Sequence, residues 1–115
     1  MRSENKSYYY GLILTAMVTV VIAGLMLFPV TAPEIVGGHS DKFYHIIAFG
    51  ALTFPSALLH LSLSRVVLIF AILFGALIEV IQPYVGRTGS WEDFLAAVLG
   101  AFLGWSFARV IRKQL

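Results

Sequence analysis

Long apolar stretches separated by short polar connections dominate the chain. A helix rises about 1.5 Å per residue, so it needs ~20 mostly apolar residues to cross ~30 Å of hydrocarbon. Scanning at that length predicts four such helices, over residues 8–28, 43–63, 66–85 and 91–111. The connections are rich in proline and glycine, which favour turns. The pattern predicts an all-α fold, an integral membrane four-helix bundle, with residues 1–115 forming a single transmembrane domain.

The composition supports a membrane protein and excludes several other classes. Hydrophobic residues make up 59% of the 115 residues and charged residues only 12%, about half of the ~25% that is typical of soluble domains. The eight Lys and Arg residues are too few and too scattered for a nucleic-acid-binding surface. The absence of cysteine excludes disulfides, thiolate metal sites and cysteine nucleophiles.

The basic residues predict the orientation of the bundle. With four spans, both termini and the middle loop lie on one side of the membrane. That side carries six of the eight basic residues, namely Arg2, Lys6, Arg65, Arg109, Arg112 and Lys113. Because positive loops stay inside, both termini are expected in the cytoplasm. The first apolar run is about 20 residues, longer than the ~7–15 of a signal peptide, so we expect this span to be retained.

Polar residues inside the spans gather toward the opposite, outer side. Asp41 and His45 stand one helical turn apart at the start of the second helix, and Glu79 and Gln82 stand one turn apart near the end of the third. Asp93 opens the fourth helix. The second helix enters from the side on which the third helix ends, so these groups share one depth. The sequence therefore predicts a polar pocket beneath the outer surface.

Small residues mark the helix faces that are expected to touch. Gly75 lies on the same face of the third helix as Glu79, while Gly100 and Gly104 form a GxxxG motif on the face of Asp93. Such motifs let helix backbones approach closely, and charged residues in a span usually face the bundle interior. We therefore expect both acids to point at neighbouring helices. The face of Gly100 and Gly104 is also a candidate surface for oligomerisation.

Each acid has a structural interpretation beside the functional one. Ser90 followed three positions later by Asp93 is typical of a capping box at a helix start. Glu79 has no such role, and an acid at its depth costs about 2.5–3.5 kcal/mol on insertion scales. It is expected to be protonated, or to pair with Arg87 or His45. Such a pair would be a structural element or a functional one.

A metal site and a nucleophilic site are both considered and not expected. His45, Glu79 and Asp93 offer nitrogen and oxygen ligands, but their spacing in the sequence matches no metal signature. Ser90 is needed as a helix cap, so no nucleophile is evident and the catalytic residues, if there are any, stay unknown. No glycine pattern resembles a phosphate-binding loop. We therefore expect no metal and no cofactor.

Several short motifs occur in a fixed order along the chain. They are Asp41-Lys42-x-x-His45, Gly75-x-x-x-Glu79-x-x-Gln82, Gly86-Arg87-x-x-Ser90-x-x-Asp93 and Gly100-x-x-x-Gly104. Together, over residues 40–105, they resemble the VanZ-like family of small bacterial membrane proteins. The resemblance implies a polar pocket formed by Asp41, Lys42, His45, Glu79, Gln82, Arg87 and Asp93. One position departs from the family, whose members commonly carry asparagine where this chain has Ala97.

The resemblance also implies a place and a role in the cell. It implies a multi-pass protein of the bacterial cytoplasmic (inner) membrane, in a family whose namesake is associated with low-level resistance to teicoplanin. The leading hypothesis is that the outer-leaflet pocket binds an amphiphile, which would be a membrane lipid, a lipid-linked cell-wall precursor or a lipoglycopeptide. Arg87 would meet an anionic group of this ligand. No nucleic-acid partner is expected.

Two further hypotheses belong to other functional classes. An intramembrane enzyme would act on a lipid-linked cell-wall intermediate. His45 with either Asp41 or Asp93 would form the histidine–aspartate pair that acts as general base, and Glu79 would act as an acid. A small proton-coupled transporter would use Glu79 as its proton site. Its four short helices would have to oligomerise around a path, through the face of Gly100 and Gly104.

Overall fold

The computed structural model describes residues 3–28, 40–86 and 89–115, without the side chains of residues 4 and 40. Four α-helices account for most of this part of the chain, and it contains no strand: α1 (Ser3–Leu27), α2 (Ser40–Leu59), α3 (Leu61–Ile81) and α4 (Trp91–Gln114). A short 3-10 helix (Gln82–Val85) continues from α3. All four α-helices are long and apolar enough to cross a membrane. The predicted all-α membrane bundle is confirmed.

Helix α2 lies at the centre of the bundle. It packs against α1, α3 and α4, and its contact with α4 is the most extensive in the described structure. Phe49 and Leu52 of α2 are completely buried. They form one apolar core with Ile22 of α1, Ala71 of α3 and Ala97 of α4. The core therefore holds all four helices around α2.

Consecutive helices run antiparallel, which gives the bundle two distinct ends. At the loop end, where α1 and α3 finish and α2 and α4 begin, the Gln82 side chain hydrogen-bonds to the carbonyl of Met26 at 3.0 Å. At the terminus end, where α1 begins and α4 finishes, Gly11 packs against Ser56 and Leu63. Of the polar residues singled out by the sequence, those that the structure describes lie toward the loop end.

The connection between α2 and α3 is tighter than the sequence predicted. The predicted helices ended at residue 63 and began at residue 66, whereas the observed break is the single residue His60, with extended backbone angles (φ −154°, ψ 106°). Nδ1 of His60 accepts a hydrogen bond from the backbone N–H of Leu63 at 3.2 Å and so caps α3. The ring of Tyr8 packs edge-on against the His60 ring at a centroid distance of 5.4 Å. The predicted boundary was wrong because a histidine performs the capping.

Glycines bring the backbones of α2 and α4 into direct contact. A Cβ atom added to Gly100 would overlap the backbone of Ile46, and one added to Gly104 would overlap the backbone of Gly50. The predicted packing role of the GxxxG motif is therefore played within the chain. The expectation that this face is available for oligomerisation needs correction, because α2 of the same chain covers it.

Small side chains also set the distance between α3 and α4. A Cβ atom on Gly75 would lie 3.3 Å from Cβ of Ala97 and 3.4 Å from the ring of Phe49. Ala97 is 1% exposed. The position at which the family commonly has asparagine is thus a close apolar contact between α3 and α4 in this chain.

Hydrogen bonds from side chains to backbone carbonyls join α2 to α4. Oγ1 of Thr53 donates to the carbonyl of Ala101 at 2.7 Å, and Nη1 of Arg109 donates to the carbonyl of Ala57 at 3.0 Å. Such bonds between membrane helices contribute about 0.6 kcal/mol on average and up to about 1.7 kcal/mol. They fix the register of α2 against α4, and with it the position of the residues described next.

Candidate functional site

Three polar side chains that are largely shielded from solvent meet at the loop end of the bundle. His45 comes from the second turn of α2, Glu79 from the last turns of α3 and Asp93 from the first turn of α4. One ligand atom from each side chain lies within 4.8 Å of the other two. His45 and Asp93 are 3% and 4% exposed, and the Glu79 side chain is 10% exposed. We refer to these three residues as the His–Glu–Asp cluster.

His45 is held through both of its ring nitrogens. Nδ1 lies 2.7 Å from the carbonyl oxygen of Asp41, and Nε2 lies 2.8 Å from Oε1 of Glu79. A carbonyl oxygen can only accept, so Nδ1 carries a proton and donates it. One further proton is then shared between Nε2 and Oε1. The pair is either imidazolium with carboxylate or neutral imidazole with carboxylic acid, and its net charge is zero in both forms.

The second oxygen of Glu79 anchors the connection between α3 and α4. Oε2 accepts a hydrogen bond from the backbone N–H of Ser90 at 2.8 Å. Gly89 packs closely over the end of α3, because a Cβ atom at this position would lie 2.5 Å from the carbonyl oxygen of Glu79. Glu79 is therefore bound on one side to α2 and on the other to the segment that leads into α4.

The start of α4 follows the predicted capping pattern. Ser90 is the N-cap, and its side-chain oxygen accepts a hydrogen bond from the backbone N–H of Asp93 at 3.0 Å. The Ser90 half of the predicted capping box is confirmed, whereas the backbone N–H of Ser90, which the Asp93 side chain would cap in such a box, donates to Oε2 of Glu79. The Ser90 hydroxyl is thus engaged in the cap, while the buried Asp93 carboxyl group lies beside His45 and Glu79.

Asp41 and Lys42 lie at the rim and not among the buried groups. Asp41 is exposed, and it contacts His45 through its backbone carbonyl. Nζ of Lys42 pairs with Oε2 of Glu92 at 3.1 Å, and these side chains are 33% and 71% exposed. The general-base pair considered for His45 and the Asp41 carboxylate is therefore not formed, because the α-helix presents the backbone carbonyl of Asp41 to the His45 ring.

Gln82 and Arg87 complete the predicted set. Gln82 is 1% exposed, and its amide nitrogen donates to the carbonyl of Met26 in α1. Its Oε1 is buried and has no hydrogen-bond partner among the described residues. Gln82 therefore ties α3 to α1, and no hydrogen bond among the described residues joins it to the His–Glu–Asp cluster. Arg87 lies outside the described residues.

A cleft beside the cluster was not foreseen from the sequence. It has a volume of about 360 Å³ and lies between the ends of α3 and α4, lined by Ala76, Glu79, Val80, Gly89, Ser90, Trp91 and Phe94. Val80 is 64% exposed and Trp91 is 71% exposed, so the cleft opens sideways from the bundle. Most of these residues carry no polar signal, since small and apolar side chains line every span. Glu79 is the residue that belongs both to the cleft and to the cluster.

The arrangement can accept hydrogen bonds, share a proton between Nε2 of His45 and Oε1 of Glu79, and offer one nitrogen and two carboxylate ligands. Four helices able to cross a bilayer and a buried polar cluster between three of them define a multi-pass membrane protein with a site inside its helix bundle.

The chain matches the model of the VanZ/LLP1 family over residues 3–112, and it belongs to this family. The resemblance seen in the sequence motifs is thereby confirmed. Neither a curated protein nor a solved structure matches the chain significantly.

Proposed function

We propose that this VanZ-type membrane protein binds an amphiphile in the cleft between α3 and α4. The observation that carries the proposal is an apolar cleft that opens sideways and has the carboxyl group of Glu79, whose side chain is 10% exposed, in its wall. Ligand sites are typically 300–1,000 Å³ in volume and mainly apolar, with a few well-placed polar groups that orient the ligand. At about 360 Å³ the cleft lies within this range.

The two kinds of surface in the cleft support an amphiphilic ligand. Val80, Trp91 and Phe94 supply apolar surface for a hydrocarbon chain. Because the cleft opens on the side of the bundle, such a ligand enters from the bilayer itself. Glu79 accepts hydrogen bonds from the head of the ligand, and Arg87 meets an anionic group, for which a guanidinium is well suited.

The ligand class follows from this division. A lipid-linked cell-wall precursor carries a phosphate, and a lipoglycopeptide carries a carboxylate and an acyl chain, so each has both parts. We place the protein in the bacterial cytoplasmic membrane with the loop end outward, where both ligands occur. Because the family's namesake is associated with teicoplanin resistance, we propose that binding contributes to teicoplanin tolerance.

Native mass spectrometry of the protein extracted from its own membrane tests the proposal. Val80→Trp fills the cleft, and Leu73→Trp is the matched control, because Leu73 lies two turns away on α3 and is 66% exposed against 64% for Val80. Wild type and Leu73→Trp are expected to retain an amphiphile that Val80→Trp and Glu79→Gln lose. Arg87→Ala is expected to lose it while expressing normally.

Two results would contradict amphiphile binding. One is that all variants carry only the bulk lipids of the membrane. The other is that Val80→Trp and Leu73→Trp retain the same specific molecule to the same extent. In cells, Val80→Trp is expected to lower teicoplanin tolerance to the level of a strain without the protein, while Leu73→Trp leaves tolerance unchanged.

The proposed orientation has its own test. The chain has no cysteine, so single cysteines can be introduced without background. Tyr84 at the loop end is 86% exposed and Leu115 at the terminus end is 84% exposed. A membrane-impermeant maleimide added to intact cells is expected to label Tyr84→Cys and not Leu115→Cys. The reverse pattern would place the termini outside.

A further inference from the structure

We propose that His45, Glu79 and Asp93 bind a divalent transition-metal ion, with Zn²⁺ as the ion of best fit. The spacing of these residues in the sequence matches no metal signature, but the fold brings their ligand atoms to within 4.8 Å of one another. One imidazole nitrogen and two carboxylate oxygens form a donor set that suits zinc and its neighbours, whereas magnesium and calcium prefer oxygen alone. This inference goes beyond amphiphile binding and does not depend on it.

The distances are close to those of a metal site. Zinc binds nitrogen and oxygen at about 2.0–2.2 Å, so two ligand atoms of a tetrahedral site are about 3.3 Å apart. Nε2 of His45 and Oε1 of Glu79 are 2.8 Å apart. The largest possible separation in the cluster, 4.8 Å, exceeds the tetrahedral value by about 1.5 Å. Forming the site requires the side chains to close this gap, and a rotation of a carboxyl group moves its oxygens without a movement of the backbone.

The groups behind the ligands are those that metal sites use. A metal-binding histidine almost always donates its other ring N–H to a carbonyl or carboxylate, which fixes the ring and leaves the lone pair for the metal. Nδ1 of His45 does this with the carbonyl of Asp41 at 2.7 Å. Ligating carboxylates are in turn hydrogen-bonded, and Oε2 of Glu79 accepts the Ser90 N–H at 2.8 Å. Both supports exist in the folded chain before any metal arrives.

The charge of the cluster also favours a divalent cation. Lys42, the one basic side chain at the loop end that the structure describes, pairs with Glu92 and leaves the acids of the cluster to be balanced by His45. Two carboxylates with one imidazolium leave a net charge of −1 in a buried place, and buried charges are costly unless they are compensated. A divalent cation with neutral imidazole and both carboxylates brings the sum to zero.

Zn²⁺ itself is the probe. The full chain, carrying no histidine tag, is purified in detergent, treated with EDTA and titrated with Zn²⁺ by calorimetry, and its zinc content is measured after gel filtration. We expect one Zn²⁺ per chain. X-ray absorption of the zinc-loaded wild type is expected to show a shell of light-atom ligands with the scattering of a single imidazole. This measurement needs no variant, so it tests the metal site even if the substitutions impair folding.

Two matched variants locate the site. Removing a residue that only supports a metal ligand typically lowers affinity by about 10- to 100-fold. Because Asp93→Asn and Glu79→Gln change the ligands themselves, each is expected to lower Zn²⁺ affinity by at least about 10-fold. Glu92→Gln is the control, because Glu92 is adjacent to Asp93 in the chain but its side chain is 71% exposed. Val80→Trp should leave Zn²⁺ binding unchanged while it removes the amphiphile, so a failure of one proposal is distinguishable from a failure of the other.

Three outcomes would overturn the metal site. The first is that the wild type binds no more zinc than a detergent blank. The second is that the X-ray absorption spectrum of the zinc-loaded protein shows no imidazole scattering. The third is that Glu92→Gln weakens Zn²⁺ binding as much as Asp93→Asn does. In each case the His–Glu–Asp cluster is a hydrogen-bonded structural element.

Discussion

Replacing Gly100 by alanine tests the contact on which the bundle depends. A Cβ atom at this position would lie 2.7 Å from Cα and 2.8 Å from the carbonyl carbon of Ile46, and still closer to its oxygen. All three are backbone atoms, so no side-chain rotation relieves the overlap and α2 must move away from α4. Adding a methyl group to a well-packed core typically costs about 1–3 kcal/mol. Gly100→Ala is therefore expected to destabilise the protein.

The higher helix propensity of alanine stabilises the Gly100→Ala variant and so opposes the cost of the overlap. A matched glycine-to-alanine substitution elsewhere in the bundle cancels this contribution. Alanine is favoured over glycine in a helix interior by about 0.8–1.0 kcal/mol, so the net loss for Gly100→Ala is about 0–2 kcal/mol. Gly24 lies inside α1, and the one described group that a Cβ atom there would meet is the ring of Phe28, at 3.9 Å. Gly24→Ala gains the same propensity without the overlap. The difference between the two variants is therefore the packing cost alone, about 1–3 kcal/mol.

The measurement is reversible unfolding in mixed micelles by titration with a denaturing detergent, followed by circular dichroism. At 1.4 kcal/mol for each factor of ten, the two variants should differ in unfolding equilibrium constant by about 5- to 140-fold. Gly24→Ala should be as stable as wild type or more stable. Equal stabilities for the two variants would refute a backbone contact between α2 and α4 at this position.

Substitutions at three further positions test individual contacts. Thr53→Val removes the hydrogen bond to the α4 carbonyl. It is expected to lower the free energy of unfolding, measured in the same assay, by about 0.6–1.7 kcal/mol. An unchanged free energy of unfolding would mean that the bond is absent in the membrane. His60→Ala removes the side-chain cap on the Leu63 N–H and is expected to cost about 1 kcal/mol, whereas His60→Asn, which can still cap, should restore most of the loss. Lys42→Gln breaks an exposed ion pair with Glu92 and should leave stability unchanged at physiological salt; a clear loss there would show that the pair is shielded from water.

The four helices and the depth of the polar groups were predictable, because bilayer thickness fixes helix length and a shared depth follows from chain direction. The direction in which a side chain points around its helix was less predictable. Gln82 and Glu79 are one turn apart, yet Gln82 bonds to α1 while Glu79 bonds to α2. Three residues turn an α-helix by about 300°, and the chain passes into a 3-10 helix at Gln82.

Two other features had no signal that periodicity could reveal. Ser, Thr, Asp and Asn are the usual helix caps, so no residue type indicated that α2 ends before a histidine. The capping role of His60 is evident only from its geometry. The cleft is formed largely by side chains such as Ala76 and Phe94, which are indistinguishable from lipid-facing residues until the packing of α3 against α4 is known.

The tight connection at His60 also bears on how the chain enters the membrane during synthesis. The apolar window of α2 has the lowest mean hydropathy of the four spans, and that of α3 has the highest. Two polar side chains of α2 are bonded to groups that are synthesised after it, His45 to Glu79 and Thr53 to Ala101. Because one residue separates the two helices, α2 and α3 are expected to insert as a hairpin, with α3 supplying the hydrophobic driving force. The helix that carries the histidine of the site thus depends on its successor to reach the bilayer.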